Sequence, residues 1–314
     1  MKKRVLAAFL SMAMVAGLAT GCGTPGGGKS DGDSADGKVF RYAVNTLPTT
    51  LDPTKGQSIG DNEIQHAVTE GLTRNTAGDV KPGIAESWDE SEDGLTYTFH
   101  LRKDAKWSDG EPITAADFEY SWKRLVNPET ASPYAFIGDC LKNGQAIEQG
   151  KMDVEELGVK AVDDTTLEVT LEHPTSYFLS LIGSSGQYAP LRQDIVEKYG
   201  TDFAATSEKN VYSGPFVMTS SEDNVWTFEK NDNYWDKDSI NLDKCELNYV
   251  ENTDTQLSMY EAGDLDYVQV PTAYVSDYKD KADVFANGNV DFCYINSKSD
   301  NPVLGNKNFR LALN

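Results

Sequence analysis

Alternating apolar and polar residues predict three β-hairpins in this chain. In the first, Tyr97, Phe99 and Leu101 alternate with polar residues after an acidic turn that ends at Gly94. A period of two places one apolar face against a core and leaves the other face polar. The same pattern predicts hairpins at residues 159–171 and 216–229.

A helical period of apolar residues follows the first hairpin. Thr114 and Asp117 have the spacing of a capping box, and Phe118, Trp122 and Leu125 form an apolar stripe behind it. These positions predict a helix that begins after Thr114 and buries its aromatic side.

The remaining segments also alternate between strand and helix patterns. Asp61 is the predicted N-cap of a helix that ends near Gly71, and the stretch around Pro82 has no regular pattern. Further predicted helices cover residues 191–199 and 255–262, and further predicted strands cover residues 38–44, 245–250, 265–270 and 292–295. This order of elements predicts an α/β fold with mixed sheets.

The N-terminus has the pattern of an export signal. Basic residues at positions 2–4 precede an apolar run over residues 5–18, which is too short to span a bilayer comfortably. Small residues then lead to Cys22, which resembles the lipid-modified cysteine of a bacterial lipobox, although Ala19 stands where such boxes usually carry Leu. We therefore expect residues 1–21 to be a lipoprotein signal peptide and Cys22 to carry the lipid.

Composition divides the rest of the chain in two. Residues 22–37 are small or polar and predict a flexible linker, and residues 38–314 carry the folded domain. The whole chain has 50 acidic and 28 basic residues, a formal net charge of −22. This balance argues against nucleic-acid binding and against basic attachment to anionic lipid.

The sequence offers little chemistry for catalysis or metal binding. Its three histidines lie far from one another and from the cysteines, and it has no nucleophile-elbow or phosphate-loop motif. Besides Cys22 there are Cys140, Cys245 and Cys293, which leaves open one disulfide with a free thiol or three reduced thiols. We predict no enzyme activity, no metal site and no cofactor.

A long run of residues resembles one family. Its main parts are Lys81–Trp88, Asp93–Phe99, Ala105–Gly110 and Ile113–Phe118, and Ser213-Gly214-Pro215-Phe216 fits further on. In this order and spacing they resemble the peptide/nickel-type (family 5) bacterial extracellular solute-binding proteins, and most of all the oligopeptide-binding proteins of ABC importers.

The resemblance implies a periplasmic-binding-protein-like clamshell that closes on an extended peptide. Members of the family continue into a second lobe, so we expect this chain to hold the first lobe and the hinge region only. It also ends within two turns of a helical pattern, which predicts a C-terminal truncation. By resemblance, the ligand-lining residues are Gln57, Ser58, Ile59, Tyr134, Val268, Gln269, Phe292 and Tyr294.

The predicted function is a lipid-anchored receptor that delivers oligopeptides to an ABC permease. Its expected location is the extracellular face of the cytoplasmic membrane, and its expected state is a monomer. Alternatives are a nickel, haem or oligosaccharide receptor of the same family, a truncated lipoprotein without a transport role, or a secreted hydrolase.

Overall fold

The computed structural model describes residues 37–76, 78–284, 298 and 301–312. Within these residues, loops and short 3-10 turns join ten strands and nine α-helices. The strands are β1 Val39–Val44, β2 Thr73–Thr76, β3 Asp79–Pro82, β4 Ala85–Glu90, β5 Thr96–Leu101, β6 Val159–Asp163, β7 Thr166–Thr170, β8 Phe216–Glu222, β9 Val225–Lys230 and β10 Lys244–Tyr249. The helices are α1 Ile59–Val68, α2 Ala115–Val126, α3 Gly144–Glu148, α4 Phe178–Ser184, α5 Gln193–Tyr199, α6 Thr253–Ala262, α7 Val275–Tyr278, α8 Pro302–Gly305 and α9 Lys307–Ala312.

One four-stranded sheet is mixed, as predicted. Its order is β1-β10-β9-β8, in which β1 runs parallel to β10 and the other neighbours are antiparallel. The parallel pair joins strands that are about 200 residues apart, because Phe40 lies opposite Cys245. The N-terminal strand β1 therefore obtains its partner strand, β10, only from late in the chain.

The other four-stranded sheet is antiparallel, in the order β4-β5-β7-β6. It contains the first two predicted hairpins, with Phe99 opposite Trp88 on one side and Leu167 on the other. Tyr97, Phe99 and Leu101 are all buried, which confirms the predicted apolar face.

Helix α2 covers this antiparallel sheet. The predicted capping box at Thr114 and Asp117 is present. Phe118, Trp122 and Leu125 are completely buried, and burial of each such side chain stabilises the fold by about 2 kcal/mol.

The apolar side chains form two separate cores. The first surrounds α2 and the antiparallel sheet, and it includes Trp107 and Phe178. The second lies between α1 and the mixed sheet, where Ile64 and Val68 meet Phe228. Helix α1 thus packs against the second core, and α2 packs against the first.

Three local predictions were wrong. Ser58, not Asp61, is the N-cap of α1, and Asp61 lies one turn inside the helix end. The stretch around Pro82 forms β3, which pairs with β2, since a proline is tolerated at a strand end.

Residues 265–270 form no strand. Asp266 donates its N–H to Arg41 O on the edge of β1 (2.8 Å), but its carboxylate Oδ2 takes the Arg41 N–H (2.7 Å). A side chain therefore occupies the donor that a neighbouring strand would need. The predicted strand at residues 292–295 lies outside the described residues.

The cysteine alternatives are partly resolved. Cys140 and Cys245 are free thiols, and Cys293 lies outside the described residues. Burial raises the pKa of both thiols, that of Cys245 to about 11, so both stay protonated at neutral pH.

In the described part of the chain, no helix combines the length and the apolar character that crossing a membrane requires.

Candidate functional site

The buried carboxylate of Asp61 organises the loop that precedes helix α1. Its Oδ1 accepts hydrogen bonds from the backbone N–H groups of Thr49 (2.6 Å) and Thr50 (3.1 Å). Its Oδ2 accepts from those of Gln57 (3.1 Å) and Ser58 (2.9 Å). One carboxylate therefore fixes both arms of the loop.

The pKa of Asp61 reflects these contacts. Burial by itself raises the pKa, because it penalises the charged form. The N–H groups of Thr49, Ser58 and Gln57 favour the carboxylate more strongly, and the net pKa is below the usual value of an aspartic acid. Asp61 is therefore ionised at neutral pH, which keeps all four N–H groups paired.

Asp52 anchors the middle of the loop to helix α2. Arg124 Nη1 donates to Asp52 Oδ1 (2.8 Å), and Nη2 donates to Oδ2 (2.6 Å). The Asp52 side chain is 6% exposed and that of Arg124 is 13% exposed. Such a planar, two-bond pair resists rotation better than a single contact, so the loop keeps a fixed position on the first core.

Two glycines make room for Gln65 behind the loop. A Cβ atom on Gly56 would lie 2.1 Å from Gln65 Nε2, and one on Gly186 would lie 2.4 Å from Gln65 Oε1. The amide fills the gap between the two backbones. It is buried and has no hydrogen-bond partner among the described residues.

Hydrogen bonds join the loop to two other segments. Ser132 Oγ donates to Thr54 O (2.6 Å) and accepts the N–H of Tyr134 (3.2 Å). Gln187 Nε2 donates to Gly56 O (3.1 Å). The segments around Tyr134 and Gln187 are thereby held beside the start of α1.

Four of the predicted ligand-lining residues lie on these joined segments. Gln57 is exposed, Ser58 is half-buried, and Ile59 is 59% exposed although it is a large apolar residue. Tyr134 is half-buried and packs against the exposed ring of Phe136, with 5.6 Å between the ring centroids. An exposed apolar and aromatic surface on a well-fixed backbone is suited to binding a ligand.

The other predicted site residues do not join this group within the described chain. Val268 is half-buried and Gln269 is exposed, and neither shares a hydrogen bond or a cavity with the described residues around α1. Phe292, Tyr294 and the lipidation site Cys22 lie outside the described residues.

A cavity of about 190 Å³ opens between α1, Tyr134 and the segment that ends at Gln187. A larger cavity of about 330 Å³ lies between the loop and the mixed sheet, where Arg124, Phe203 and Trp226 line it. The larger cavity touches none of the predicted ligand-lining residues, so the smaller one is the better candidate.

The sequence interpretation missed most of the supporting residues. Asn62, Gln65 and His66 line the smaller cavity from α1, and Gln187 lines it from the opposite side. The spacing Ser58-x-x-Asp61 is a capping-box signal that would have set the start of α1 correctly. Nothing in the sequence shows that Gln187 meets Gly56.

Metal binding finds no support in the described residues. They contain no group of three or more His, Cys, Asp or Glu side chains that could hold an ion.

Comparison with known proteins identifies the class. The sequence model of the bacterial extracellular solute-binding proteins, family 5 Middle, matches residues 79–314. The chain therefore belongs to this family, and its fold is the α/β fold of the periplasmic-binding-protein-like structures that it matches.

Particular relatives are dipeptide- and oligopeptide-binding proteins. The dipeptide-binding protein DppE of Bacillus subtilis is 40% identical over 253 residues, which are 80% of this chain and 46% of the relative. The oligopeptide-binding protein OppA of the same organism is 36% identical over 86% of this chain and 50% of its own length. The chain thus spans about half the length of the curated relatives that it matches.

Solved structures agree. The pheromone receptor PrgZ, described with its mode of peptide binding, has a TM-score of 0.79 and 33% identity, over 88% of this chain and 56% of that one. Listeria monocytogenes OppA bound to peptide has a TM-score of 0.73 and 36% identity, over 79% of this chain and 49% of that one.

Proposed function

We propose that this protein is a substrate-binding receptor that delivers oligopeptides to an ABC importer. The observation that carries the proposal is the loop around Asp61 in a chain of this family: the Asp61 carboxylate fixes Gln57 and Ser58, and a hydrogen bond from Ser132 to Thr54 joins the segment of Tyr134 to the same loop. The family of solute-binding proteins also favours a binding role over the predicted alternative of a hydrolase.

An extended peptide is the ligand that this surface suits best. Ser58 is extended and leads from Gln57 into the first residue of α1, Ile59, so a peptide backbone can lie along the exposed side of this segment, while Tyr134 offers a ring and a hydroxyl. Val268, Gln269, Phe292 and Tyr294 are proposed to line the same ligand nearer the hinge. The bound peptide would favour a closed clamshell, which the permease recognises.

The N-terminal part of the proposal is an anchor. Lipid on Cys22 and a flexible linker over residues 22–37 would hold a monomeric receptor at the outer face of the cytoplasmic membrane. Replacing Cys22 by Ala is expected to release the protein from the membrane fraction, as measured by immunoblotting. Retention of the variant in that fraction would contradict the anchor.

Peptide binding is tested by isothermal titration calorimetry on the complete gene product. Tri- to pentapeptides are expected to bind saturably and without turnover. Deoxycholate belongs in the same panel, because a relative that is 38% identical bears the name probable deoxycholate-binding periplasmic protein. Binding of deoxycholate in place of peptides would reassign the ligand class.

A matched pair of variants locates the site. Tyr134 and Tyr199 are both half-buried, and neither hydroxyl has a hydrogen-bond partner among the described residues. Tyr134→Phe is expected to weaken peptide binding about two- to tenfold through the loss of one hydrogen bond, whereas Tyr199→Phe should leave the affinity unchanged. Equal effects of the two changes would place the ligand elsewhere.

A further inference from the structure

The cavity beside Tyr134 has one side whose polar groups are already paired. Ser185 Oγ donates to Gln187 Oε1 (2.6 Å), and Gln187 Nε2 donates to Gly56 O (3.1 Å). Ser184 Oγ donates to Ser180 O (2.8 Å). These groups shape the cavity, but their principal hydrogen bonds are internal to the protein.

The opposite side has unpaired polar groups. Asn62 and His66 are one helical turn apart on α1, so their side chains point to the same side of the helix, and both line the cavity with Tyr134. Within the described residues, the Asn62 amide, the His66 ring and the Tyr134 hydroxyl make no hydrogen bond. They offer both donors and acceptors to whatever enters.

No formal charge balances this cavity. None of the residues that line it is Asp, Glu, Lys or Arg. Both carboxylate oxygens of Asp61, which precedes Asn62 on α1, are occupied by backbone N–H groups. Glu63, which follows Asn62, lies near Tyr42 of the second core, and burial and then the charge of Glu63 raise the pKa of that tyrosine.

The cavity therefore discriminates between charged, polar and apolar groups of a ligand. A carboxylate or ammonium group that enters the cavity loses water and gains no opposite charge, which is unfavourable. An amide or hydroxyl group loses less hydration and regains hydrogen bonds from Asn62, His66 and Tyr134. An apolar group would offer no hydrogen bond to the half-buried side chains of Asn62 and Tyr134, whereas the exposed His66 ring would keep its water.

We infer that this cavity is a side-chain subsite that selects uncharged hydrogen-bonding side chains, such as those of Gln, Asn, Ser and Thr, in a bound peptide. The inference rests on the proposed peptide-binding function and narrows it. It also names Asn62 as the residue that sets the preference, because its amide carries both a donor and an acceptor.

The test uses peptides derived from Ala-Ala-Ala by replacing one residue at a time, at each of the three positions, with Gln, Leu, Glu or Lys. Affinities are measured by calorimetry on the complete gene product. At one position the Gln peptide should bind most tightly, with the Glu and Lys peptides about tenfold weaker. The other two positions report general effects of charge, since the whole chain is acidic.

Two substitutions then test the assignment to Asn62. Asn62→Leu should weaken the Gln peptide about two- to tenfold and remove its advantage over the Leu peptide. Asn62→Asp should raise the affinity for the Lys peptide at the same position, a gain that damage to the fold cannot produce. His66→Leu removes a second polar group from the cavity and should also weaken the Gln peptide. Its control is His173→Leu, at an exposed histidine remote in sequence, which should change nothing.

The possible outcomes distinguish the side-chain subsite from the receptor function. Selectivity for Gln that Asn62→Asp redirects towards Lys supports the subsite. Peptide binding with equal affinity for charged and uncharged side chains at all three positions overturns the subsite and leaves the receptor function intact. Failure of every peptide to bind, with thermal unfolding showing a folded protein, overturns the receptor function and the subsite together.

Discussion

Two buried carboxylates at either end of helix α1 are stabilised in different ways. Asp61 is paired with backbone N–H groups from a loop that lies within 12 residues of it. Glu70 is paired with side chains: Arg74 Nε donates to its Oε1 (2.7 Å), and the Tyr234 hydroxyl donates to its Oε2. Arg74 also reaches Asp236 (2.9 Å).

The two arrangements have different tasks. The Asp61 contacts order a local surface, and their partners are backbone N–H groups, which every residue except proline supplies. The Glu70 contacts tie α1 to a segment more than 160 residues away, and they require the charge of Arg74 and the position of Tyr234. Burial, followed by the neighbouring charge of Glu70, raises the pKa of Tyr234 far above its usual value, so the phenol remains a donor.

The largest predicted effect comes from breaking the Glu70 arrangement. Arg74→Met replaces the guanidinium with a shorter, uncharged side chain and leaves the carboxylate of Glu70 buried without its cation. The free energy of unfolding is expected to fall by about 3 kcal/mol, as measured by urea denaturation. Adding Glu70→Gln should recover part of this loss, because a neutral amide costs less to bury. A single-variant loss below 0.5 kcal/mol, the range typical of surface changes, would contradict the assigned role.

The next effect comes from Asp61→Asn. An amide can accept hydrogen bonds through one atom only, so two of the four N–H groups would face an NH₂ group. We expect a loss of about 2 kcal/mol in the free energy of unfolding and faster hydrogen exchange at Gln57 and Ser58. Asp238→Asn, at an exposed position, is the matched control and should have no measurable effect. Equal stability of the two variants would show that Asp61 does not order the loop.

The pH dependence of the free energy of unfolding provides a second test of the Asp61 contacts. The pKa of Asp61 is lowered in the folded state, so its contribution is complete above the unfolded pKa, about 3.9, and is lost as the pH falls through the lower folded value. The stability difference between the wild-type protein and Asp61→Asn should therefore be constant from pH 5 to 7 and shrink below about pH 4. A difference that grows on acidification would contradict this linkage.

A smaller effect, a gain in stability, is expected from replacing Gln65 behind the loop. The Gln65 amide is buried between Gly56 and Gly186 without a hydrogen-bond partner among the described residues. Gln65→Met keeps the shape and removes the unpaired groups, so stability should rise by about 1 kcal/mol. Gln193→Met on the exposed surface of α5 is the control. A clear loss of stability in Gln65→Met would show that the amide has a partner, such as a buried water.

The smallest expected effect is the coupling between the two carboxylates. Asp61 and Glu70 share no hydrogen-bond partner, and the helix from Asp61 to Val68 spans about 10 Å. The stability losses of Asp61→Asn and Arg74→Met should therefore add to within about 0.5 kcal/mol in the double variant. A larger deviation would mean that α1 transmits strain from one end to the other.

Much of the fold could be predicted from the sequence because local patterns decide it. The hairpin that holds Phe99 and the helix that begins at Thr114 follow from periods of two and 3.6 and from a side-chain cap. The pairing of β1 with β10 could not be predicted, because it depends on which distant strand meets the first one. The strand predicted at residues 265–270 is absent, because the side chain of Asp266 accepts the N–H of Arg41 that a neighbouring strand would need. This contact also depends on which distant segment reaches β1.

The order of the amino acids was enough to assign the α/β class, the acidic charge and, through resemblance, the family, because these properties reside in composition, local periods and ordered motifs. It also indicated Gln57 and Tyr134, but not what holds them together. Only the tertiary structure placed Asp61 among four backbone donors, Gln65 between two glycines, and Asn62 on an uncharged cavity. Such arrangements depend on loops that meet across long stretches of chain, and a one-dimensional pattern does not specify which loops will meet.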